Sequence, residues 1–363
     1  MINRSHIKNI DWALIALMLL NSLLGVILIE GSSHHLSGNY AFRQIVWILT
    51  GLLIFLIILS IDYNHLVEYS LYFYAAAVGS LILILAFGQL TAGTKRWIRL
   101  QFMQIQPSLL TNIILILVLA YLFKEYKKPV LSFNMALISG GVVAVPGVLV
   151  SLQPDLGTAL SFVPLFLGAM ILAGSNRKII IILLMLGMVS AVGGWSFFLK
   201  DYQKDRIRTL LEPEKDPLGA GYHIMQSRIA IGSGGLFGKG YKEGTQSQLR
   251  FLPARHTDFV ISVAGEEFGF LGITVVIFVY YLMISRIFRS VAKSRDRAGM
   301  YIIFIVGVML SCQFLINLSM AAGLLPVAGI PLPFYSYGGS SLWSNFIAVA
   351  LVVNVKMRRF VNI

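Results

Sequence analysis

The sequence predicts an all-α polytopic membrane protein of about ten transmembrane helices, with one large extracytoplasmic loop between helices 7 and 8. Three observations carry that prediction. Hydrophobic residues make up 57% of the chain and charged residues only 12%, where a soluble domain carries about 25% charge. The apolar residues gather into runs near the roughly 20 residues that a helix needs to cross a bilayer. Between these runs only one connection is long and polar, from about 200 to 257. The whole chain, 1–363, therefore reads as a single membrane domain.

In order, the apolar runs fall at about 11–30, 41–61, 70–90, 109–123, 132–151, 156–174, 179–199, 259–284, 299–322 and 340–355. The first follows Arg4 and Lys8, begins near Trp12 and lacks a small-residue cleavage site, so it is expected to be an anchor helix. Around SLQPDLGTAL (Ser151 to Leu160), the residues Pro146, Gly147, Pro154 and Pro164 should break or kink the fifth and sixth helices. Irregular backbone at membrane depth is tolerated only where protein buries it or a wet cavity lies beside it. The long loop holds two glycine-rich turns, DPLGAGYH and IGSGGLFGKGY. Its YHIMQSRIAI segment (Tyr222 to Ile231) is amphipathic enough to lie along the membrane surface. The lone cysteine, Cys312, excludes a disulfide within the chain.

Orientation follows from Lys and Arg, which favour cytoplasmic connections. With the N-terminus inside, the inner connections take most of the basic residues, while the short outer ones hold only Arg43, Lys95, Arg96 and Arg99. Both termini are then cytoplasmic and the long loop is outside. The net charge of +13 is divided between two faces, and no nucleic-acid partner is expected. There is no P-loop and no metal-ligand spacing, and the Gly232–Gly240 run lacks the strand-to-helix setting of a phosphate cradle.

The exceptions to the charge rule point to chemistry. Four cations on the outer side, facing further basic residues in the long loop, suit an anionic ligand, because the planar fork of Arg donates two bonds to phosphate oxygens. Snorkelling toward headgroups is the alternative for each of them. Trp97 beside them fits an interfacial aromatic belt. Asp258 stands where the polar RFLPARHTD segment turns into an apolar run. It reads either as the N-cap of that helix or as a reactive carboxylate. Asp155, after Gln153 and Pro154, also reads as an N-cap. Glu266 and Glu267, two turns into the following helix, are expected to face a cavity. The proline- and glycine-rich stretch from Asn317 to Ser341 reads as a stiff outer connection or a re-entrant turn.

Taken together, KRWIRL…QPS (Lys95 to Ser108), QPDLGTA (Gln153 to Ala159), GYHIMQSRIAIGSGGLFGKG (Gly221 to Gly240), GTQSQLRFLPARHTDF (Gly244 to Phe259), EEFGFLG (Glu266 to Gly272) and GLLPVAGIPLPFYSYGGSS (Gly323 to Ser341) resemble the SEDS family of bacterial shape, elongation, division and sporulation proteins. FRQIVW, IDYNHL and GKGYKEGTQSQ resemble its elongation branch more than its division branch. The resemblance implies a peptidoglycan glycosyltransferase that polymerises lipid II at the outer face of the inner membrane. Asp258 would be the general base. Arg43, Lys95 and Arg96 would meet the diphosphate charge, with Trp97, Asp155 and His256 also at the substrate, Asp155 orienting a basic residue or shaping the cavity, and Ser336 and Gly338 walling the site. A divalent cation, Mg or Mn, is a candidate helper. The implied partners are a class B penicillin-binding protein, docked near the eighth and ninth spans, and the elongation machinery. The sequence departs from the family pattern at Leu109 and Asn112, where a Glu and a Lys are usual, and at Ala254, where an acid is usual. A lipid II flippase and a non-catalytic scaffold for a transpeptidase are the alternatives the residues allow.

Overall fold

The computed structural model describes residues 8–33, 38–88, 96–100, 103–126, 131–175, 219–249, 251–252 and 254–359, together with 181, 185, 204–205, 208–210 and 212. The elements run α1 (Trp12–Ser33), α2 (Tyr40–Ser60), the short α3 (Tyr63–Glu68), α4 (Ser70–Phe87), a hairpin of β1 (Ile98–Leu100) and β2 (Met103–Ile105), α5 (Pro107–Lys124), α6 (Phe133–Leu152) and α7 (Leu156–Leu172). After the long connection come α8 (Ala220–Ser233), the single turn α9 (Thr245–Gln248), α10 (Val260–Val291), α11 (Arg297–Ala321) and α12 (Gly339–Met357). Eight of these helices are long and apolar enough to cross a membrane, and α7 is an apolar helix of 17 residues. The predicted seventh span, 179–199, lies outside the described residues apart from two positions.

The helices are sorted by what they touch. α5, α11 and α12 form the centre, and their apolar side chains are buried on nearly every face, as with Leu115, Ile116 and Leu119, or Ile302, Ile303 and Val306, or Val349 to Val353. α1, α2, α4, α6, α7 and α10 surround them, with α12 packed on α2, α11 on α7, and α10 on α1. An outer helix buries one stripe and gives the other to hydrocarbon. On α2 the buried stripe is Gln44, Ile48, Gly51, Phe55 and Leu59, at the spacing of one helix face. Pro146 and Pro164 lie inside α6 and α7, as the sequence requires of two kinked helices.

Two features were not legible beforehand. The basic cluster after α4 enters an antiparallel hairpin that pairs Ile98 with Ile105 and Leu100 with Met103, and Gln106 then starts α5 with Pro107 in its first turn. The loop helix α8 does not lie free on the membrane surface. It packs on α10 and α11; Ser227 Oγ shares a hydrogen bond with Ser262 Oγ at 2.7 Å and donates to the Ala321 carbonyl at 2.6 Å.

The following turn clips onto a break in α10. At Gly269 the backbone leaves helical geometry, with φ 67° and ψ −159°, a region open mainly to glycine. The carbonyls of Glu266 and Glu267 released there accept from Lys239 N and Gly240 N at 2.9 and 3.1 Å. Phe270 N and Leu271 N donate in turn to Gly235 and Leu236 carbonyls at 2.9 and 3.2 Å. All four backbone groups are thereby satisfied without water.

Candidate functional site

The site forms where the start of α10, the first turn of α2, the α11–α12 connection and the hairpin meet. Asp258 is set by a turn and does not cap α10: the cap position is Phe259, and no side chain caps the first turn. The turn is gathered on the Ala254 carbonyl, which accepts from Thr257 N at 3.1 Å and Asp258 N at 3.0 Å. Ala254 holds φ 48° to make this possible, so a residue with a left-handed backbone stands where the family usually carries an acid. Asp258 is half-buried, and its carbonyl accepts from Asn317 Nδ2 at 3.1 Å. The same amide donates to Ile330 O at 2.9 Å, tying the turn to α11 and to the connection beyond it.

Ser336 and Gly338, both expected as walls, lie against this turn. Ser336 Oγ donates to the Thr257 carbonyl and accepts from Leu332 N at 2.8 Å, and Tyr337 N donates to the His256 carbonyl at 2.8 Å. The His256 ring lies 4.7 Å from that of Tyr40 and 5.8 Å from that of Tyr337. Burial, and then the Arg255 guanidinium beside it, push the His256 pKa below the usual imidazole value. His256 is therefore neutral at pH 7 and can accept or donate, while its Nδ1 has no hydrogen-bond partner among the described residues.

The first turn of α2 brings Arg43. Tyr40, Arg43, Gln44 and Trp47 are three, four and seven residues apart, so they share one side of the helix. Tyr40 touches His256, and Gln44 donates from Nε2 to Ser336 O at 3.3 Å and accepts from Gly338 N at 3.4 Å. Trp47 packs on Gly339, where an added Cβ would meet its ring at 3.0 Å. Arg43 is exposed on this stripe, between Tyr40 and Trp47.

Asp155 anchors the other cationic element. It caps α7, with Oδ1 accepting from Thr158 N at 3.3 Å and Oδ2 from Thr158 Oγ1 at 2.9 Å. Gln106 Nε2 donates to Oδ2 at 2.8 Å, and Arg96 Nη1 lies 3.5 Å from Oδ1. Both readings of Asp155, cap and partner of a basic residue, therefore hold together. The Arg96 Nε is buried with no partner among the described residues, while 28% of the side chain stays exposed. Gln106 N donates to Ser340 Oγ at 3.0 Å, and that bond joins the Arg96–Asp155 group to the first turn of α12, two residues beyond Gly338. Lys95 lies outside the described residues.

Trp97 faces an apolar cavity of about 320 Å³ with Leu83, Ile84, Phe87 and Ile98. A second cavity of about 400 Å³, lined by Phe73, Ala77, Pro107 and Ile113, shares Ser80 with it. Both apolar cavities lie along α4, and the Arg96 guanidinium sits 5.9 Å from the Trp97 ring that lines the first of them.

Where the family pattern has Glu and Lys, the structure holds Leu109 and a buried Asn112, whose Oδ1 accepts from Ser161 Oγ at 3.2 Å. Ser344 Oγ donates to the Leu109 carbonyl at 3.0 Å. The space left between Leu109, Ser161, Pro331, Ser344 and Asn345 is about 10 Å³, the lower limit for one water.

Glu266 and Glu267 do not face a cavity, contrary to expectation. Glu266 is fully buried and accepts from Gln246 N at 2.8 Å, Ser247 N at 3.0 Å and Lys239 Nζ at 2.9 Å. Glu267 is buried against Gly31. Glu266 fastens the loop to α10, whereas the Glu267 carboxylate oxygens have no hydrogen-bond partner among the described residues. Gln44, Gln106 and Asn317 are the site residues that sequence reasoning missed; their only signal was a place inside FRQIVW, QPS and the stiff outer connection. Among the described residues no group of three or more His, Cys, Asp or Glu converges as a cation site, so Asp258 is not matched by further protein ligands for Mg or Mn there.

Comparisons with known proteins place the whole chain. The chain is 37% identical over 319 residues to the peptidoglycan glycosyltransferase MrdB of Escherichia coli (strain K12), covering 87% of this chain and 85% of that one. It is 32% identical over 431 residues to the peptidoglycan glycosyltransferase RodA of Treponema pallidum (strain Nichols), covering 97% and 99%. Among solved structures, a chain of a peptidoglycan synthase complex that coordinates polymerization and crosslinking superposes with a TM-score of 0.84 at 28% identity, over 97% of this chain and 99% of that one. The rod shape determining protein RodA of Thermus thermophilus superposes at 0.73 and 26%, over 97% and 98%. Residues 10–360 match the family model FTSW_RODA_SPOVE, described as cell cycle protein, and the chain belongs to that family.

Proposed function

We propose that this protein is a peptidoglycan glycosyltransferase that joins lipid II units into glycan strands, with Asp258 as general base. The observation that carries the reading is the setting of Asp258. A half-buried carboxylate sits on a turn pinned at both its main-chain ends, on a wall that is hydrogen-bonded through Gln44 to the helix of Arg43 and through Ser340 and Gln106 to Asp155 and Arg96. Apolar cavities lie along α4, the first of them beside Arg96, as a polyprenyl tail requires.

The chemistry follows from these parts. A sugar hydroxyl of the acceptor gives its proton to Asp258 as its oxygen attacks the anomeric carbon of the donor. The bond from that carbon to the diphosphate oxygen breaks, and undecaprenyl diphosphate leaves with both electrons. Arg43, Arg96 and, next to it in sequence, Lys95 meet the charge that develops on the leaving oxygen. His256, neutral at pH 7, packs its ring against Tyr40 and Tyr337 beside Asp258 and shapes the substrate side of the turn. A positioned base of this kind is worth roughly 10²–10⁴ in rate. No step is routed through a metal.

The family implies a class B penicillin-binding protein as partner. Of the two helices expected to dock it, α11 is largely enclosed, whereas α10 exposes Leu271, Val275 and Phe278 at helical spacing. We assign the docking surface to α10, on the face of the membrane domain that would be reached by a single partner helix.

The test is polymerisation of fluorescent lipid II by the purified protein with its transpeptidase partner, before and after Asp258→Ala. Polymer should form with the parent and fall by at least 10²-fold with the variant. Polymer undiminished in Asp258→Ala would remove the base assignment; transbilayer movement of lipid II without polymer would replace the polymerase reading with a flippase.

A further inference from the structure

At the end of α10 remote from Asp258, roughly 40 Å along the helix at 1.5 Å per residue, lies a cavity of about 420 Å³. Arg286, Arg289 and Lys293 line it from the end of α10 and the turn after it, and Lys356 lines it from the last turn of α12. Leu17, Tyr281 and Leu282 form its apolar side. Behind it stands Asp11, whose side chain is fully buried; Arg286 Nε reaches its Oδ1 at 2.6 Å, and Lys356 Nζ pairs with its Oδ2. Burial pushes the Asp11 carboxyl up, but the hydrogen bonds from Lys356 and Arg286 outweigh it and hold the group ionised.

Among the described residues the charge in this cavity is not balanced. Four cations face one acid, and Arg289 and Lys293 have no acidic partner among the described residues. The C-terminus of α10 contributes about half a negative charge, which leaves the cavity more than two positive charges in excess. Ordinary topology signals put basic residues on this face, but they do not require a cavity, nor an acid at its back that fixes two of the cations in place. Tyr281 and Leu282 are exposed on the lipid-facing side, so the cavity opens from the headgroup level into the hydrocarbon.

We propose that this cavity binds the phosphate of an anionic phospholipid, with an acyl chain lying along Tyr281 and Leu282. The recognised chemistry is a phosphate diester, which a soluble phosphate shares in part; the apolar side of the cavity assigns it to a lipid. The site is separate from the polymerisation chemistry and does not depend on it.

Native mass spectrometry of the full chain in detergent, titrated with phosphatidylglycerol, phosphatidylcholine or inorganic phosphate, tests the assignment. Phosphatidylglycerol should be retained in preference to the other two. Arg289→Gln with Lys293→Gln leaves the Asp11 pairs in place and should weaken retention about 30-fold, since each basic residue near an anionic headgroup is worth roughly 5-fold. Leu282→Trp fills the cavity without changing charge and should weaken retention as well, whereas Lys124→Gln, a cation on the same face outside the cavity, should not. Equal retention of phosphatidylglycerol and phosphatidylcholine, or an unchanged Leu282→Trp protein, overturns the site. Displacement of the lipid by millimolar inorganic phosphate overturns the lipid assignment.

Discussion

Removing the carboxylate of Asp155 should loosen the hairpin, α5 and α7 at once, by an amount that can be worked from its partners. Asp155→Ala deletes the α7 cap, worth about 1 kcal/mol. It also deletes the acceptor for Gln106 Nε2 at 2.8 Å and Thr158 Oγ1 at 2.9 Å, and hydrogen bonds to a charged group contribute about 1.5–3 kcal/mol each. Arg96 loses its counter-charge, but 28% of its side chain is exposed, so water recovers much of that loss and about 1 kcal/mol is left. These terms overlap, because Gln106 and Thr158 rearrange together, and the net cost is about 3–5 kcal/mol. Asp155→Asn keeps an oxygen for the cap and for one partner and should cost about 1–2 kcal/mol. Thermal unfolding of the detergent-solubilised protein at one scan rate should rank the parent above Asp155→Asn and that variant above Asp155→Ala. Adding Arg96→Ala to each background should show a smaller further loss once Asp155 is gone. Should Asp155→Ala and Asp155→Asn melt together, or should Arg96→Ala cost the same in every background, Asp155 is not the hub of this region.

Two further outcomes follow from the site. Because the fold holds the His256 pKa below its ordinary value of about 6.5, the unfolded chain takes up a proton that the folded one refuses; stability is complete above about pH 6.5 and falls as pH drops below it, down to the folded pKa. His256→Asn should flatten that slope in a melting-temperature series from pH 7.5 to 5.5, and a slope that survives the substitution would place its origin elsewhere. At the altered family position, Asn112→Lys alone buries a cation without a partner and should cost about 3–5 kcal/mol. Adding Leu109→Glu should restore part of that loss in the same melting experiment, and a double variant worse than the sum of the two singles would mean that these positions do not face each other as a pair.

The helices were legible because a membrane leaves a coarse imprint: a run of about 20 apolar residues is required whatever the neighbours are. Trp12–Ser33 and Gly339–Met357 were found that way to within a few residues, although α12 lies at the centre and α1 at the rim. Hydropathy does not separate lipid from protein as surroundings, so the layering was not legible. The carboxylates were easier to find than to interpret. Asp155 behaved as both of its readings at once. Asp258 lost its capping reading because the chain turns on the Ala254 carbonyl and reaches Phe259 before the helix begins. Glu266 and Glu267 were read as cavity-facing because acids in an apolar run are costly, yet the partner of Glu266 is a loop twenty residues upstream. Gln44, Gln106 and Asn317 carry no pattern at all, since a single amide becomes important only when its two ends find partners remote in sequence.

The break at Gly269 divides the labour of α10. The segment before it, from Val260 to Phe268, is fastened to the loop by two backbone bonds, at the Glu266 and Glu267 carbonyls, and by the Glu266 carboxylate, and it runs directly on from the turn that presents Asp258. Among the described residues, the segment after it bonds to the loop only through Phe270 and Leu271, and beyond them it presents an apolar outer face. A thinner or thicker bilayer is accommodated by helix tilt at modest cost, and here that tilt can be taken up below the break. Asp258 thereby keeps its height relative to Arg43 and Arg96 while the lipid around the protein changes, as a floating platform keeps its deck level above a moving keel.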